Sequence, residues 1–243
     1  MTTSIRAVCF DLDDTLYPYR QYARCGLAAA ADLLAAETGE RYHEQLHELY
    51  VDGGITHGTF DVLAERNGLP DRLVADCVEA FHTSDEPLTP YPATEKALEQ
   101  LTPTYACGVI TDGRGGREKL RRLGLESSFD HVVVGPEHSE SKESRVVFDR
   151  MLSVLSVSPA ETVYVGDDPR VDFRHPNRLG MTTIRVRTGR YADADPPAEI
   201  DEPDYDCPSL TAVPTIVASA ASIEAQAISR VDSDPRSEDP NVR

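Results

Sequence analysis

The stretch Ala7-Val8-Cys9-Phe10-Asp11-Leu12-Asp13-Asp14-Thr15-Leu16 constrains this chain more than any other. Its first four residues are small or apolar without polar alternation, the pattern of a short strand covered on both faces by helices. An acidic cluster follows at once. If the extended geometry persists, Asp11 and Asp13 point the same way. Two carboxylates so close repel each other unless a cation or a shared proton relieves them. Magnesium takes one or two carboxylates together with phosphate and water oxygens, so a divalent ion suits such a pair. A second reading stays open here: an acidic turn in which Asp14-Thr15 caps a following helix.

After this strand the pattern turns helical. Helices are expected over Tyr22–Ala36, Tyr42–Val51, Thr59–Arg66 and Asp71–Phe81, punctuated by Gly39, Gly53-Gly54, Gly68 and Pro70. No strand pattern occurs between Tyr17 and Leu88, which predicts a small helical module inserted behind the first strand. From Leu88 onward strands alternate with helices, the mark of parallel βαβ units. The expected strands are Tyr105–Ile110, Val132–Val134, Thr162–Val165 and Thr183–Val186, with an edge strand near Tyr205. The helices between them are Pro92–Leu101, Arg117–Leu123, Arg145–Leu155 and a stretch ending at Leu179-Gly180. A last helix is expected from Leu210 toward Ile228. The fold class is therefore α/β, a Rossmann-like parallel sheet over residues 1–17 and 89–220 with a helical insertion at 18–88. Residues 221–243 read as a disordered acidic tail.

Composition excludes several functions. The formal charge of −18 argues against a nucleic-acid partner, whose phosphates require Lys and Arg. Lys96, Lys119 and Lys142 are the only lysines among 24 basic residues. Acidic, lysine-poor surfaces resemble those of cytoplasmic proteins from salt-loving archaea, where concentrated salt screens the self-repulsion. The five cysteines are widely spaced and contain no Cys-x-x-Cys pair, which suits reduced buried thiols in a cytoplasmic setting. No signal peptide is read before the first strand, and no apolar run approaches membrane-spanning length.

Open α/β sheets place their chemistry at the carboxyl ends of the strands. Here those ends carry Asp11 and Asp13, then Thr111-Asp112-Gly113, then Lys142, then Gly166-Asp167-Asp168 with Asp172 beyond. A carboxylate pair, a hydroxyl, a lysine and a further carboxylate along one sheet edge are what phosphoryl transfer needs. Asp11-Leu12-Asp13-Asp14-Thr15, Thr111, Lys142 and Gly166-Asp167-x-x-x-x-Asp172 resemble, in order, the four motifs of the haloacid dehalogenase-like hydrolase superfamily. The helical insertion resembles that superfamily's C1 cap. The resemblance covers roughly residues 5–215; around Lys142 it is looser, and Pro176 is expected to interrupt the helix after the fourth motif.

The resemblance implies roles. Asp11 would be the nucleophile, forming an aspartyl-phosphate, and Asp13 the general acid and base. Mg²⁺ would be held by Asp11, Asp167 and the Asp13 main-chain carbonyl. Thr111, the Asp112 and Gly113 amides and Lys142 would bind the phosphate, while Asp172 and Thr15 would support the site. Dehalogenases of this superfamily lack the carboxylate two residues after the nucleophile, because a halide needs no proton. Asp13 therefore favours a phosphatase acting on a small phosphorylated metabolite. A dehalogenase and a phosphomutase are the alternatives on the same fold, and a receiver-like phospho-accepting module the non-enzymatic one. The helical cap would close over the site, with Tyr17, Tyr19, Arg20 and Arg24 as candidate leaving-group contacts.

Four other signals are set aside. His43-Glu44-Gln45-Leu46-His47 matches the zinc-protease helix pattern but lies in the insertion, where it reads as a solvated amphipathic helix. Gly113-Arg114-Gly115-Gly116 lacks the Lys-Ser/Thr ending of a P-loop. Arg114, Arg117, Arg121 and Arg122 read as a solvated helix face, and His175 as a surface residue.

Overall fold

The computed structural model describes residues 4–221; the expected acidic tail falls outside the described residues. Six parallel strands form one sheet in the order β3-β2-β1-β4-β5-β6. They are β1 (Ala7–Phe10), β2 (Ala106–Thr111), β3 (His131–Val134), β4 (Thr162–Gly166), β5 (Thr182–Val186) and β6 (Tyr205–Cys207). All four residues of β1 are fully buried, which is why that strand needs no polar alternation. β1 pairs with β2 on one side and β4 on the other, Phe10 lying opposite both Val109 and Val165. The Asp11 amide still donates to Val165 O (2.8 Å), so the ladder runs into the acidic cluster.

This register explains why the motifs converge. The chain leaves β1 toward β2 and β3, then returns to build β4, β5 and β6 on the other side. At such a reversal, open α/β sheets bind ligands beyond the carboxyl ends of the strands, here β1, β2 and β4. Asp11, Thr111 and Asp167 sit at those ends.

The helices are α1 (Tyr19–Thr38), α2 (His43–His47), α3 (Thr59–Asn67), α4 (Asp71–Thr83), α5 (Thr94–Leu101), α6 (Gly116–Arg122), α7 (Val146–Leu155) and α8 (Arg174–Leu179). A further helical segment, 213–221, ends the described chain. Val147, Phe148, Met151 and Leu152 of α7 pack on Cys9, Ile110, Val133 and Tyr164 of the sheet. Full burial of a side chain such as Phe148 contributes roughly 2–3 kcal/mol.

The described residues divide into two compact units: the sheet unit, up to Tyr17 and from Pro90 onward, and a helical unit, Pro18–Thr89. In the helical unit α1 and α4 cross closely at Gly26, where an added Cβ would collide with the ring and carbonyl of Phe81. Phe81 anchors a small aromatic core, its ring 5.7 Å from Tyr22, 6.1 Å from Phe60 and 6.4 Å from Tyr50.

Three local expectations change. The continuous helix over Tyr42–Val51 is instead α2 followed by a wider π turn at Glu48–Asp52, closed by Gly53 N–H on Glu48 O (2.7 Å). Pro176 does not interrupt α8. It occupies the first turn, where the missing N–H would have no helical partner anyway. Asp14-Thr15 caps no helix: α1 starts behind Pro18 without a side-chain cap.

Candidate active site

The loop after β1 is folded tightly back on itself. Leu16 N–H reaches Leu12 O (3.0 Å), Asp14 N–H reaches Tyr17 O (2.9 Å), and Asp13 and Tyr17 form an isolated bridge. Asp14 adopts the left-handed conformation (φ 64°), which Asp tolerates better than most residues. Its carboxylate accepts from Arg190 Nε (2.6 Å) and its carbonyl from the Thr188 hydroxyl (2.6 Å). Those bonds fix the loop that carries the Asp11 and Asp13 carboxylates in a single shape.

Each of those carboxylates has its own ammonium. Lys142 Nζ lies 2.5 Å from Asp11 Oδ1 and 2.6 Å from Asp172 Oδ1. Lys119 Nζ lies 2.8 and 2.7 Å from the two oxygens of Asp13. The like-charge repulsion anticipated for Asp11 and Asp13 is thus relieved on each carboxylate by a separate lysine. Tyr17, expected near the surface as a substrate contact, is fully buried and donates its hydroxyl to Asp13 Oδ1 (2.5 Å).

Asp172 is saturated. Oδ1 accepts from Lys142 Nζ and Tyr164 OH, and Oδ2 from the Asp167 and Asp168 amides. It holds Lys142 and the turn after β4, with little capacity for anything else. Asp167 differs. Its Oδ1 accepts from the Thr15 hydroxyl (3.1 Å), while Oδ2 is buried without a hydrogen-bond partner. Asp168 turns away to pair with Arg170 (2.8 Å).

Carboxylate oxygens of Asp11, Asp167 and Asp172 lie within 4.8 Å of one another, the one such group among the described residues. Burial first, then the Asp11 and Asp172 charges, pushes Asp167 far above the ordinary carboxylate range. Burial also raises Asp11, against the pull of Lys142. For Lys142 burial acts downward, but Asp11 and Asp172 hold its ammonium well above the usual lysine value. With Asp172 saturated, Asp11 and the unpartnered oxygen of Asp167 form a hard, oxygen-only donor pair that fits Mg²⁺. His43 and His47 lie near single carboxylates, Asp32 (3.3 Å) and Asp52 (3.8 Å), and form no three-ligand group.

Thr111 ends β2 and is buried, its hydroxyl accepting from the Gly113 amide (3.0 Å). Asp112 sends its carboxylate to the Lys142 amide (2.9 and 3.0 Å), which ties the Lys142 loop to the end of β2. α6 is no purely solvated face. Arg117 and Arg121 pair with Glu137 and Glu118, but Arg122 and Lys119 are buried. Sequence reasoning passed over Lys119, although one signal marked it. In a chain with three lysines, two stand in this site.

In the helical unit a separate pocket of about 580 Å³ is lined by Arg20, Arg24, Leu27, His43, His47 and Tyr50, among others. Tyr19 lies outside it, its ring 5.8 Å from Tyr22.

Residues 8–186 match the family described as haloacid dehalogenase-like hydrolase. A glyceraldehyde 3-phosphate phosphatase of Methanopyrus kandleri is 37% identical over 217 residues, 83% of this chain and 92% of that protein. A ribulose-1,5-bisphosphate 5-phosphatase of Halopiger xanaduensis is 30% identical, across 79% of this chain and 89% of that one. Among solved structures, a 2-haloacid dehalogenase from Pseudomonas syringae pv. Tomato superposes with a TM-score of 0.66 at 27% identity, covering 88% of this chain and 99% of that one. The chain belongs to the haloacid dehalogenase-like hydrolases.

Proposed function

We propose that this chain is a magnesium-dependent phosphatase that hydrolyses a small phosphorylated metabolite through an aspartyl-phosphate. The observation that carries the reading is Asp13, a carboxylate two residues beyond Asp11 and held by Lys119 and Tyr17. A halide leaves without a proton, whereas an ester oxygen needs one, and positioned acid catalysis is worth on the order of a hundredfold or more. The phosphatases among the relatives support the same choice over a dehalogenase.

In this reading an Asp11 oxygen attacks phosphorus in line, the bond to the ester oxygen breaks, and Asp13 delivers a proton to that oxygen. Asp13 then takes a proton from the water that attacks the aspartyl-phosphate, and Asp11 is released. Thr111, the Asp112 and Gly113 amides and Lys142 hold the phosphate oxygens. Lys142 also fixes Asp11, and Asp172 fixes Lys142. Asp11, Asp167 and the Asp13 carbonyl would hold Mg²⁺, which would supply positive charge to offset that of the nucleophile and the phosphate. Thr15 orients Asp167 for that role.

The test is phosphate release at high salt with Mg²⁺ from glyceraldehyde 3-phosphate, ribulose 1,5-bisphosphate, phosphoglycolate and a nucleoside monophosphate, ranked by kcat/KM. A triose or pentose phosphate is expected to lead. Asp11→Asn is expected to reduce turnover of every ester, including an aryl phosphate, to background. Chloride release from a 2-chloroacid with no phosphate release would overturn the reading.

A further inference from the structure

The pair formed by Lys119 and Asp13 is more elaborate than a salt bridge needs to be. Lys119 comes from α6, far from Asp13 in sequence, and its side chain is 2% exposed. Burying an ammonium is costly unless acceptors surround it, so its position is dictated by the carboxylate it meets. The two oxygens of Asp13 are not equivalent. Oδ1 accepts from both Lys119 and the buried Tyr17 hydroxyl, whereas Oδ2 accepts from Lys119 at 2.7 Å.

Gly113 defines the direction in which Oδ2 faces. A Cβ at Gly113 would collide with Asp13 Oδ2 and Lys119 Nζ, and would crowd Thr111 Oγ1 at 3.3 Å. The Gly113 backbone, whose amide donates to the Thr111 hydroxyl, therefore passes directly against Oδ2. Only glycine allows that approach.

We propose that Lys119, together with Tyr17, is a positioning residue for the acid–base step, holding Asp13 so that Oδ2 is the oxygen that exchanges the proton with substrate. The proposal rests on the phosphatase reading above. In the first half-reaction the bond from Asp11 to phosphorus forms and the bond from phosphorus to the ester oxygen breaks. The electron pair stays on that oxygen, which takes its proton from Oδ2. Negative charge left on Asp13 lies against the Lys119 ammonium. In the second half, water oxygen bonds to phosphorus, the Asp11 bond breaks, and a water proton returns to Oδ2. Lys119 Nζ stands close against the Gly113 backbone, a place that suits a compact ammonium better than the larger guanidinium of arginine.

The experiment compares two phosphate esters, p-nitrophenyl phosphate and glycerol 1-phosphate, at high salt with Mg²⁺. The nitrophenolate departs without help; the alkoxide does not. Lys119→Met is expected to lower kcat/KM, which reads the first half-reaction alone, about 100-fold on the alkyl ester but less than about threefold on the nitrophenyl ester. Lys119→Arg should restore only part of the loss. Tyr17→Phe keeps the ring and removes one donor, so it should give the same bias at about three- to tenfold. This variant decides the matter if Lys119→Met fails to fold. An equal loss on both esters, or no loss on either, overturns the positioning role. Wild-type protein that releases phosphate from neither ester overturns the phosphatase reading itself, which is a separate outcome.

Discussion

Two lysines of the sheet unit and two arginines of the helical unit use their charges in opposite ways. In the sheet unit Lys119 and Lys142 are buried, each within 3 Å of carboxylate oxygens. In the helical unit Arg20 and Arg24 stand exposed on one turn of α1, with no ion pair among the described residues. The chain carries 42 acidic residues, so a lack of available partners does not explain the contrast. Charges that must act in a transition state gain from being fixed in advance in a dry, low-dielectric place. Charges that meet varied small molecules gain from remaining hydrated and movable. Under the proposed function Lys119 and Lys142 would have the first character, and Arg20 and Arg24 the second.

Removing a charge from the sheet unit should break this contrast most severely. Lys142→Met leaves Asp11 and Asp172 buried against each other without their cation. The expected loss of stability is about 3–5 kcal/mol, measured by urea unfolding at high salt. A loss below about 1 kcal/mol would mean that the site tolerates its carboxylates unpaired, and the description of a fixed electrostatic frame would fail.

Magnesium should sharpen the same contrast, with a smaller effect. Asp11 and Asp167 have folded-state pKa values raised above those of the unfolded chain. Their neutral forms are therefore favoured by folding. That contribution is complete below the unfolded value near 4 and is lost as pH rises through the folded values, about 7 for Asp11 and about 10 for Asp167. Stability of the metal-free chain should fall across this window. Mg²⁺ binds the ionised carboxylates, so the rise in Tm on adding it should be greater at about pH 9 than at about pH 6. Saturation at a hundred times Kd adds about 2.7 kcal/mol. Asp167→Asn should remove the response; a rise in Tm that survives this change would place the cation elsewhere.

Much of this frame is legible in the sequence because strand ends announce themselves. Apolar runs terminated by Asp11, Thr111 and Asp167 need no knowledge of packing, and parallel βαβ order brings their ends to one edge. Lys119 is not legible in that way. α6 has seven residues, four of them basic, so periodicity cannot tell which of them turns inward. Only lysine scarcity singles it out. Tyr17 hides for another reason: it follows a loop whose reversal depends on Asp14 in a left-handed conformation, pinned by Arg190 and Thr188 from a distant part of the chain. The π turn at Glu48–Asp52 likewise differs from an α-helix by one backbone bond that no side-chain pattern encodes.

The smallest expected effect lies in the helical unit. Arg20→Ala and Arg24→Ala, alone or together, remove exposed charges that have no acidic partner to strand. Stability should change by no more than about 0.5 kcal/mol for each. If these arginines meet substrate, KM for the favoured phosphate ester should rise several-fold while kcat stays near the wild-type value, the pattern of binding shared by ground and transition states. A fall in kcat with KM unchanged would instead make them part of the chemical step. The helical unit would then hold its charges in a fixed electrostatic frame just as the sheet unit does, and the contrast between the two would dissolve.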